Sequence, residues 1–128
     1  MIRLLIVDTV RQMREMMSIV LRDELDIRVT GYASSVEQAL PQLDDCNVLL
    51  VSASLPRNGA CELISWVSHA RPDVKVVAID VPDAETGLHA YQAAGAASYV
   101  LEDESVESLL TKVRAAHTGH TRTQLTAA

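Results

Sequence analysis

Five short apolar runs alternate with five amphipathic segments along this chain of 128 residues, and that alternation restricts the fold more than any other feature. The apolar runs are residues 2–7, 27–32, 48–51, 74–79 and 97–101. Four of them are almost continuously apolar, which is typical of parallel strands covered by helices on both faces, whereas 27–32 is more mixed and suits a sheet edge. We therefore predict a doubly wound α/β domain with a five-stranded parallel sheet in the order 2-1-3-4-5.

Each intervening segment places apolar residues at helical spacing. The five predicted stripes are Met13, Met16, Met17, Val20 and Leu21; Val36, Ala39, Leu40 and Leu43; Leu63, Ile64 and Val67; Leu88, Tyr91 and Ala94; and Val106, Leu109, Leu110 and Val113. Thr9 with Gln12 predicts a capping box at the start of the first helix. Ser34 with Glu37 predicts another at the second helix, which Pro41 should kink or shorten.

Composition narrows the class of protein. The formal net charge of −6 argues against this segment binding nucleic acid by itself, because phosphate contacts need a basic surface. The N-terminal apolar run is too short for a membrane span and lacks a secretory layout, and Cys46 and Cys61 suggest free core thiols. We expect a cytoplasmic protein without membrane contact, with one domain over residues 1–118 and a tail or linker over 119–128.

Polar residues stand where four of the predicted strands end. Asp8 and Ser52 end the first and third strands, and Asp80 and Glu102 end the fourth and fifth. In a sheet of this order, ligands bind beyond the carboxyl ends of the strands, at the switch point between strands 1 and 3. Topology alone therefore predicts a pocket beside Asp8 and Ser52.

Four sequence stretches, in order and at matching spacings, carry a family resemblance. They are Leu5-Ile6-Val7-Asp8; Val48 to Ser52 followed by Pro56; Pro72-Asp73-Val74-Lys75-Val76-Val77; and Ala93-Ala94-Gly95-Ala96-Ala97-Ser98-Tyr99-Val100-Leu101. With these stretches the chain resembles response-regulator receiver domains, which have the flavodoxin-like fold. The last two look most like receivers of transcription regulators with a LuxR-type helix-turn-helix output domain.

The resemblance also implies which residues form the phosphorylation pocket, and this chain departs from the pattern there. Such receivers carry two adjacent acidic residues after strand 1 that hold Mg²⁺; Asp8 matches the first and Thr9 replaces the second. The phosphoacceptor is an aspartate four residues before the proline, and Ser52 occupies its place.

Two further positions reverse the expected charge. Asp80 stands where a hydroxyl residue normally contacts the phosphoryl group, and Glu102 replaces the lysine that normally pairs with it. Tyr99 matches the aromatic position of the family's rotameric switch. We interpret Asp8, Thr9, Ser52, Asp80 and Glu102 as a degenerate phosphorylation pocket without catalytic or metal-binding residues, and Tyr99 as a switch or interface candidate.

The two extra carboxylates leave two interpretations open. Asp80 and Glu102 could converge on Asp8, which would raise the pKa of at least one carboxyl and form a cation-binding or pH-sensitive pocket. Alternatively, each turns to solvent or is neutralised by Arg11 or Arg57, because unpaired buried charge is costly.

These features predict a non-enzymatic signalling domain that needs no cofactor and is independent of phosphorylation. It would act by protein–protein contact, as a homodimer or with other signalling proteins, and would influence DNA only through an output domain outside this chain. Dimerisation is expected either through the fourth helix, fifth strand and fifth helix or through helices 1 and 5. The alternative is a sensor that binds a cation or small ligand in the acidic pocket. A haloacid-dehalogenase-type enzyme would need a second carboxylate two residues after Asp8, where Val10 stands.

Overall fold

A computed structural model describes residues 1–119, so the predicted tail falls almost entirely outside the described residues. The prediction of a doubly wound domain is confirmed: five parallel strands form one sheet in the order β2-β1-β3-β4-β5. The strands are β1 (Ile2–Val7), β2 (Ile27–Ala33), β3 (Val48–Ser52), β4 (Lys75–Val81) and β5 (Ser98–Leu101).

Helical segments connect all the strands. They are α1 (Arg11–Leu21), α2 (Val36–Ala39) continuing into a 3-10 helix (Leu40–Asp45), α3 (Gly59–Ala70), α4 (Ala84–Thr86) continuing into a π-helix (Gly87–Gln92), and α5 (Val106–Thr118). The change to 3-10 winding coincides with Pro41, in the first turn of the 3-10 segment, which confirms the predicted break. No helix in residues 1–119 is long and apolar enough to cross a membrane.

The sheet separates two apolar clusters, because alternate side chains of a strand point to opposite faces. Leu5 and Val7 of β1 pack in the cluster with α2 and α3, whereas Leu4 and Ile6 pack in the cluster with α1 and α5. All five residues of β3 are buried. A central strand covered on both faces explains the continuous apolar runs in the sequence.

Four predicted core positions are wrong. Met16 of α1 is 44% exposed, Leu40 is 40% exposed, Leu88 is 41% exposed and Val106 of α5 is 44% exposed. Each has the right helical spacing, but each lies at the margin of its apolar stripe, where no neighbouring element covers it. Leu63, Ile64 and Val67 of α3 are buried as predicted.

Both predicted capping boxes need correction. Val10, not Thr9, is the N-cap of α1, and no side chain caps that helix; Asp8 Oδ1 instead accepts a hydrogen bond from Val10 N at 2.9 Å. The second box lies one residue further along than predicted. Ser35 caps α2 by accepting from Gln38 N, and Gln38 Oε1 accepts from Ser34 N.

An irregularity in β4 lies beside the predicted pocket. The strand extends to Val81, past the predicted end at residue 79, and its pairing with β5 shifts register between Ala78 and Val81. Asp80, within this interruption, has a φ of 59°. Asp tolerates this left-handed conformation better than β-branched residues do, so the backbone here favours an aspartate or asparagine.

Candidate functional site

A buried chain of hydroxyl groups lies at the strand ends where topology predicted a pocket. Ser52, the last residue of β3, is fully buried; its Oγ donates to Ser54 Oγ at 2.8 Å and accepts from Ser54 N at 3.1 Å. Ser54 Oγ in turn donates to Asp8 Oδ1 at 3.2 Å and lies 3.0 Å from Thr9 Oγ1. The structure therefore brings Asp8, Thr9 and Ser52 together, with Ser54 as the link between them.

Asp8 is held in place by its own backbone surroundings. It follows β1, is only 2% exposed, and its Oδ1 accepts from both Val10 N and Ser54 Oγ. Arg14 Nη1 donates to the backbone oxygen of Asp8 at 2.7 Å, not to its carboxylate. The Asp8 carboxylate thus acts as a local hydrogen-bond acceptor that fixes the turn between β1 and α1.

Asp80 faces Asp8, whereas Glu102 does not join them. Partial burial, and secondly the negative charge of Asp8, raise the pKa of the Asp80 carboxyl above its ordinary value of 3.8. Glu102, directly after β5, is exposed. The charge of Asp8 therefore acts on the Asp80 carboxyl, whereas Glu102 is exposed to solvent.

Of the two outcomes in the second interpretation, exposure to solvent holds for Glu102, whereas neutralisation by arginine is not found in the part of the chain that the structure describes. Arg11 pairs with Glu15 at 3.0 Å, and neither Arg11 nor Arg57 forms an ion pair with Asp80 or Glu102. Within residues 1–119, no three His, Cys, Asp or Glu side chains come together in an arrangement suited to a metal ion.

The raised pKa of Asp80 predicts how this residue affects stability. A carboxyl with a higher pKa in the folded chain binds protons more readily there than in the unfolded chain, so its contribution to stability decreases as pH rises above 3.8. We expect Asp80→Asn to raise the free energy of unfolding at neutral pH by up to about 1 kcal/mol, and the gain to vanish in strong acid. Urea denaturation of both chains across this pH range measures the difference; parallel pH profiles would contradict it.

A second cluster surrounds Tyr99, the predicted switch residue. Lys112 Nζ donates to the Tyr99 backbone oxygen at 2.7 Å and lies 5.6 Å from the centre of its ring. The same ammonium contacts both carboxylate oxygens of Glu104, at 3.0 and 2.9 Å. Glu104 also accepts from Leu101 N and from Ser108 Oγ. Burial acts to raise the pKa of Glu104, but the Ser108, Leu101 and Lys112 hydrogen bonds outweigh it and lower that pKa.

This cluster also covers one edge of the sheet. β5 is an edge strand, and backbone groups of Tyr99 and Leu101 bond to Lys112 and Glu104 instead of to another strand. At the opposite edge, Gln42 Nε2 donates to the backbone oxygen of Tyr32 in β2. Side chains that occupy edge groups discourage the addition of further strands.

Sequence reasoning missed four residues that shape these clusters: Ser54, Arg14, Glu104 and Lys112. Ser54 could have been found, because a hydroxyl residue two positions after a strand-end serine can bond back to it locally. Arg14 and Lys112 each donate a hydrogen bond to the backbone oxygen of a residue outside their own helix. Such contacts leave no periodic signal in the sequence.

The comparisons with known proteins agree with this fold. No protein-family model matches the sequence. The chain is 28% identical over 121 residues to the response regulator GacA of Pseudomonas viridiflava, covering 93% of this chain and 56% of that protein. It is 29% identical over 120 residues to an uncharacterized transcriptional regulatory protein, YxjL, of Bacillus subtilis, covering 92% of this chain and 55% of that protein. The chain therefore spans about half the length of these relatives.

Among solved structures, the isolated receiver (REC) domain of RcsB from Salmonella enterica serovar Typhimurium has a TM-score of 0.80 and 17% sequence identity. The match covers 94% of this chain and 91% of that one, and the solved structure contains the phosphomimetic BeF₃⁻. At this identity the likeness establishes the fold. By fold and by similarity along nearly its whole length, the chain resembles response-regulator receiver domains.

Proposed function

We propose that this chain is a receiver domain that works without phosphorylation, as the dimerising regulatory part of a LuxR-type transcription regulator in the cytoplasm. The observation that carries the proposal is the fully buried Ser52 hydroxyl at the end of β3, bonded to Ser54 and through it to Asp8. DNA contact would belong to an output domain outside this chain. The domain boundaries, 1–118 followed by a linker over 119–128, are part of the same proposal.

The chemistry of phosphoryl transfer supports the first half of the proposal. Transfer to a receiver needs a carboxylate acceptor and a divalent cation that neutralises the phosphoryl oxygens. Ser52 offers a neutral hydroxyl that already donates to Ser54, and Asp80 and Asp8 place negative charge where the phosphoryl oxygens would lie. Mg²⁺ needs several oxygen ligands in near-octahedral geometry, and Thr9 supplies no carboxylate.

Lys112 does not supply the missing positive charge. It lies on α5 with its ammonium bonded to Glu104 and to the Tyr99 backbone oxygen, on the far side of β5 from Ser52. Moving it into the pocket would break an ion pair whose partners are 30% and 20% exposed. Removing one partner of a half-buried pair leaves the other charge poorly solvated.

Exposed apolar side chains favour one of the two dimer interfaces. Met16 and Val106 line the same groove between α1 and α5, together with Asp80, Glu102 and Glu104, and Ile19, 60% exposed, lies one turn along from Met16. We name Met16, Ile19 and Val106 and their neighbours Met13 and Leu110 the α1–α5 surface. The face formed by α4, β5 and α5 exposes Leu88 and carries both members of the Glu104–Lys112 ion pair. Contiguous exposed apolar area is a feature of protein interfaces.

Incubation with a phosphodonor tests the absence of phosphorylation. We expect no stoichiometric phosphoryl adduct by intact-mass spectrometry after treatment with acetyl phosphate and Mg²⁺, and no amide shifts at residues 8, 52, 80 and 102 on addition of BeF₃⁻ and Mg²⁺. A receiver domain that autophosphorylates under these conditions is the positive control.

The Ser52→Asp variant extends this experiment. It restores the acceptor carboxylate but neither the second metal ligand at Thr9 nor the lysine at Glu102, so we expect no adduct on it either. A stoichiometric phosphoryl adduct on the wild-type chain, either a phosphoester at Ser52 or an acyl phosphate at an aspartate, would overturn the proposal. An adduct on Ser52→Asp alone would show that the rest of the pocket is still competent.

A further inference from the structure

We propose that Gly87 and Lys112 hold Tyr99 in one side-chain conformation, so that the face formed by α4, β5 and α5 is fixed and does not switch between two states. The inference deepens the proposed function, because a domain that receives no phosphoryl group needs no two-state reporter. It depends on contacts around Tyr99, which are separate from those around Ser52.

Gly87 provides the space that the ring occupies. A Cβ built on Gly87 would lie 2.3 Å from Tyr99 Cδ2 and 2.4 Å from Cε2, so the ring lies directly against the backbone at this position. Any other residue here would have to displace the ring. Gly87 begins the π-helical segment, and it is itself buried.

Lys112 holds the same residue from the α5 side. Its ammonium donates to the Tyr99 backbone oxygen at 2.7 Å and lies within cation–π range of the ring centre, at 5.6 Å. Glu104 fixes the ammonium through both carboxylate oxygens, and Leu101 N and Ser108 Oγ fix Glu104. The ring is therefore held from two elements, α5 and the π-helix, that pack on opposite faces of the sheet.

A switch needs two states of similar free energy, each measurably populated. A second rotamer of Tyr99 would leave the space above Gly87 empty and would remove the ring from the ammonium. The described contacts thus stabilise one rotamer only.

Three-bond scalar couplings to the Tyr99 side chain measure its rotamer populations directly in the isotope-labelled full chain. We expect couplings of a single rotamer in the wild type, unchanged on addition of BeF₃⁻ and Mg²⁺. In Lys112→Met, which keeps the length of the side chain but removes its charge and hydrogen bonds, the couplings should become averaged. In Gly87→Ala they should move to those of a different rotamer.

Two controls distinguish the loss of specific contacts with Tyr99 from a general increase in side-chain mobility. Lys75→Met removes the exposed ammonium that donates to Pro72 O, remote from Tyr99, and should leave the Tyr99 couplings unchanged. The couplings of Tyr91, which is buried against α3, should not change in any variant that is folded.

Averaged couplings in the wild type, or Lys112→Met couplings identical to the wild type, would overturn the inference. Because Lys112→Met decides the question by itself, poor folding of Gly87→Ala does not matter. The measurement uses no phosphodonor, so its failure would leave the proposal of phosphorylation independence standing. An acyl-phosphate adduct would overturn that proposal without altering the wild-type couplings.

Discussion

Ser52→Asp is expected to lower the free energy of unfolding by about 3 kcal/mol at neutral pH. Ser52 is fully buried, and two hydrogen-bond steps of 2.8 and 3.2 Å connect its Oγ through Ser54 to Asp8 Oδ1. Two carboxylates about 6 Å apart repel each other by roughly 3 kcal/mol at an effective dielectric constant of about 20. Domains of this size have total stabilities of only about 5–15 kcal/mol.

Ser52→Asn is the matched control, because asparagine has nearly the same size and shape without the charge. Its cost should be confined to lost hydrogen bonds and crowding, about 1–2 kcal/mol. The difference between the two variants isolates the electrostatic part. That difference should shrink as pH falls, because protonation of a carboxyl removes the repulsion between residues 8 and 52.

Urea denaturation in EDTA measures both free energies. Equal stabilities of Ser52→Asp and Ser52→Asn at neutral pH would contradict the electrostatic explanation. The same measurement with Mg²⁺ replacing EDTA gives a second check. Full recovery of Ser52→Asp by Mg²⁺ would mean that Asp8 and the new aspartate suffice to hold the cation, against the proposed loss of that site.

The order of the strands could be predicted because β1, β3, β4 and β5 are short, apolar and separated by helical segments. Parallel strands with right-handed connections then leave few topologies. The pocket beside Asp8 and Ser52 followed from the switch point in that order, with no knowledge of side-chain contacts.

The details of the site were less accessible, for reasons that differ between residues. Asp80 precedes a valine and a proline, which is typical of a strand end, yet β4 continues through it by adopting a left-handed conformation. Backbone irregularities of this kind depend on the neighbouring strand and leave no mark in the local sequence. The exposure of Glu102 depends on where the loop after β5 turns.

Helical spacing also predicted more buried residues than the structure has. Met16 and Val106 belong to apolar stripes by position, but spacing identifies only which face of a helix is apolar, not how much of that face another element covers. The uncovered part of these stripes is the α1–α5 surface. The wrongly predicted core residues Met16 and Val106 therefore lie on the proposed dimer interface, which the Met16→Glu variant tests.

Met16→Glu is expected to weaken homodimerisation at least about a hundredfold. In a dimer with twofold symmetry both copies use the same surface patch, so one substitution changes the interface at two places. Each copy would lose part of the burial of a methionine, worth about 1.5–3 kcal/mol in full, and would gain a carboxylate at an apolar contact. A combined loss of about 3 kcal/mol corresponds to a change in Kd of more than a hundredfold.

Leu88→Glu provides a control of the same charge and similar exposure on the competing face. Met16 is 44% exposed and Leu88 41% exposed, so neither substitution should unfold the monomer. We expect Leu88→Glu to change the Kd by no more than about threefold, far less than the roughly hundredfold change expected for Met16→Glu. Val106→Glu, across the same groove from Met16, should weaken the dimer in the same way as Met16→Glu.

Sedimentation equilibrium over a wide range of protein concentration gives each Kd. If Leu88→Glu dissociates the dimer and Met16→Glu does not, the interface is the face formed by α4, β5 and α5, and the assignment to the α1–α5 surface is wrong. If the wild-type chain stays monomeric at the highest concentration reached, dimerisation of this domain is itself wrong. The exposed Met16, Ile19 and Val106 side chains would then be a candidate contact surface for a different protein, because grouped exposed apolar side chains are a feature of protein interfaces.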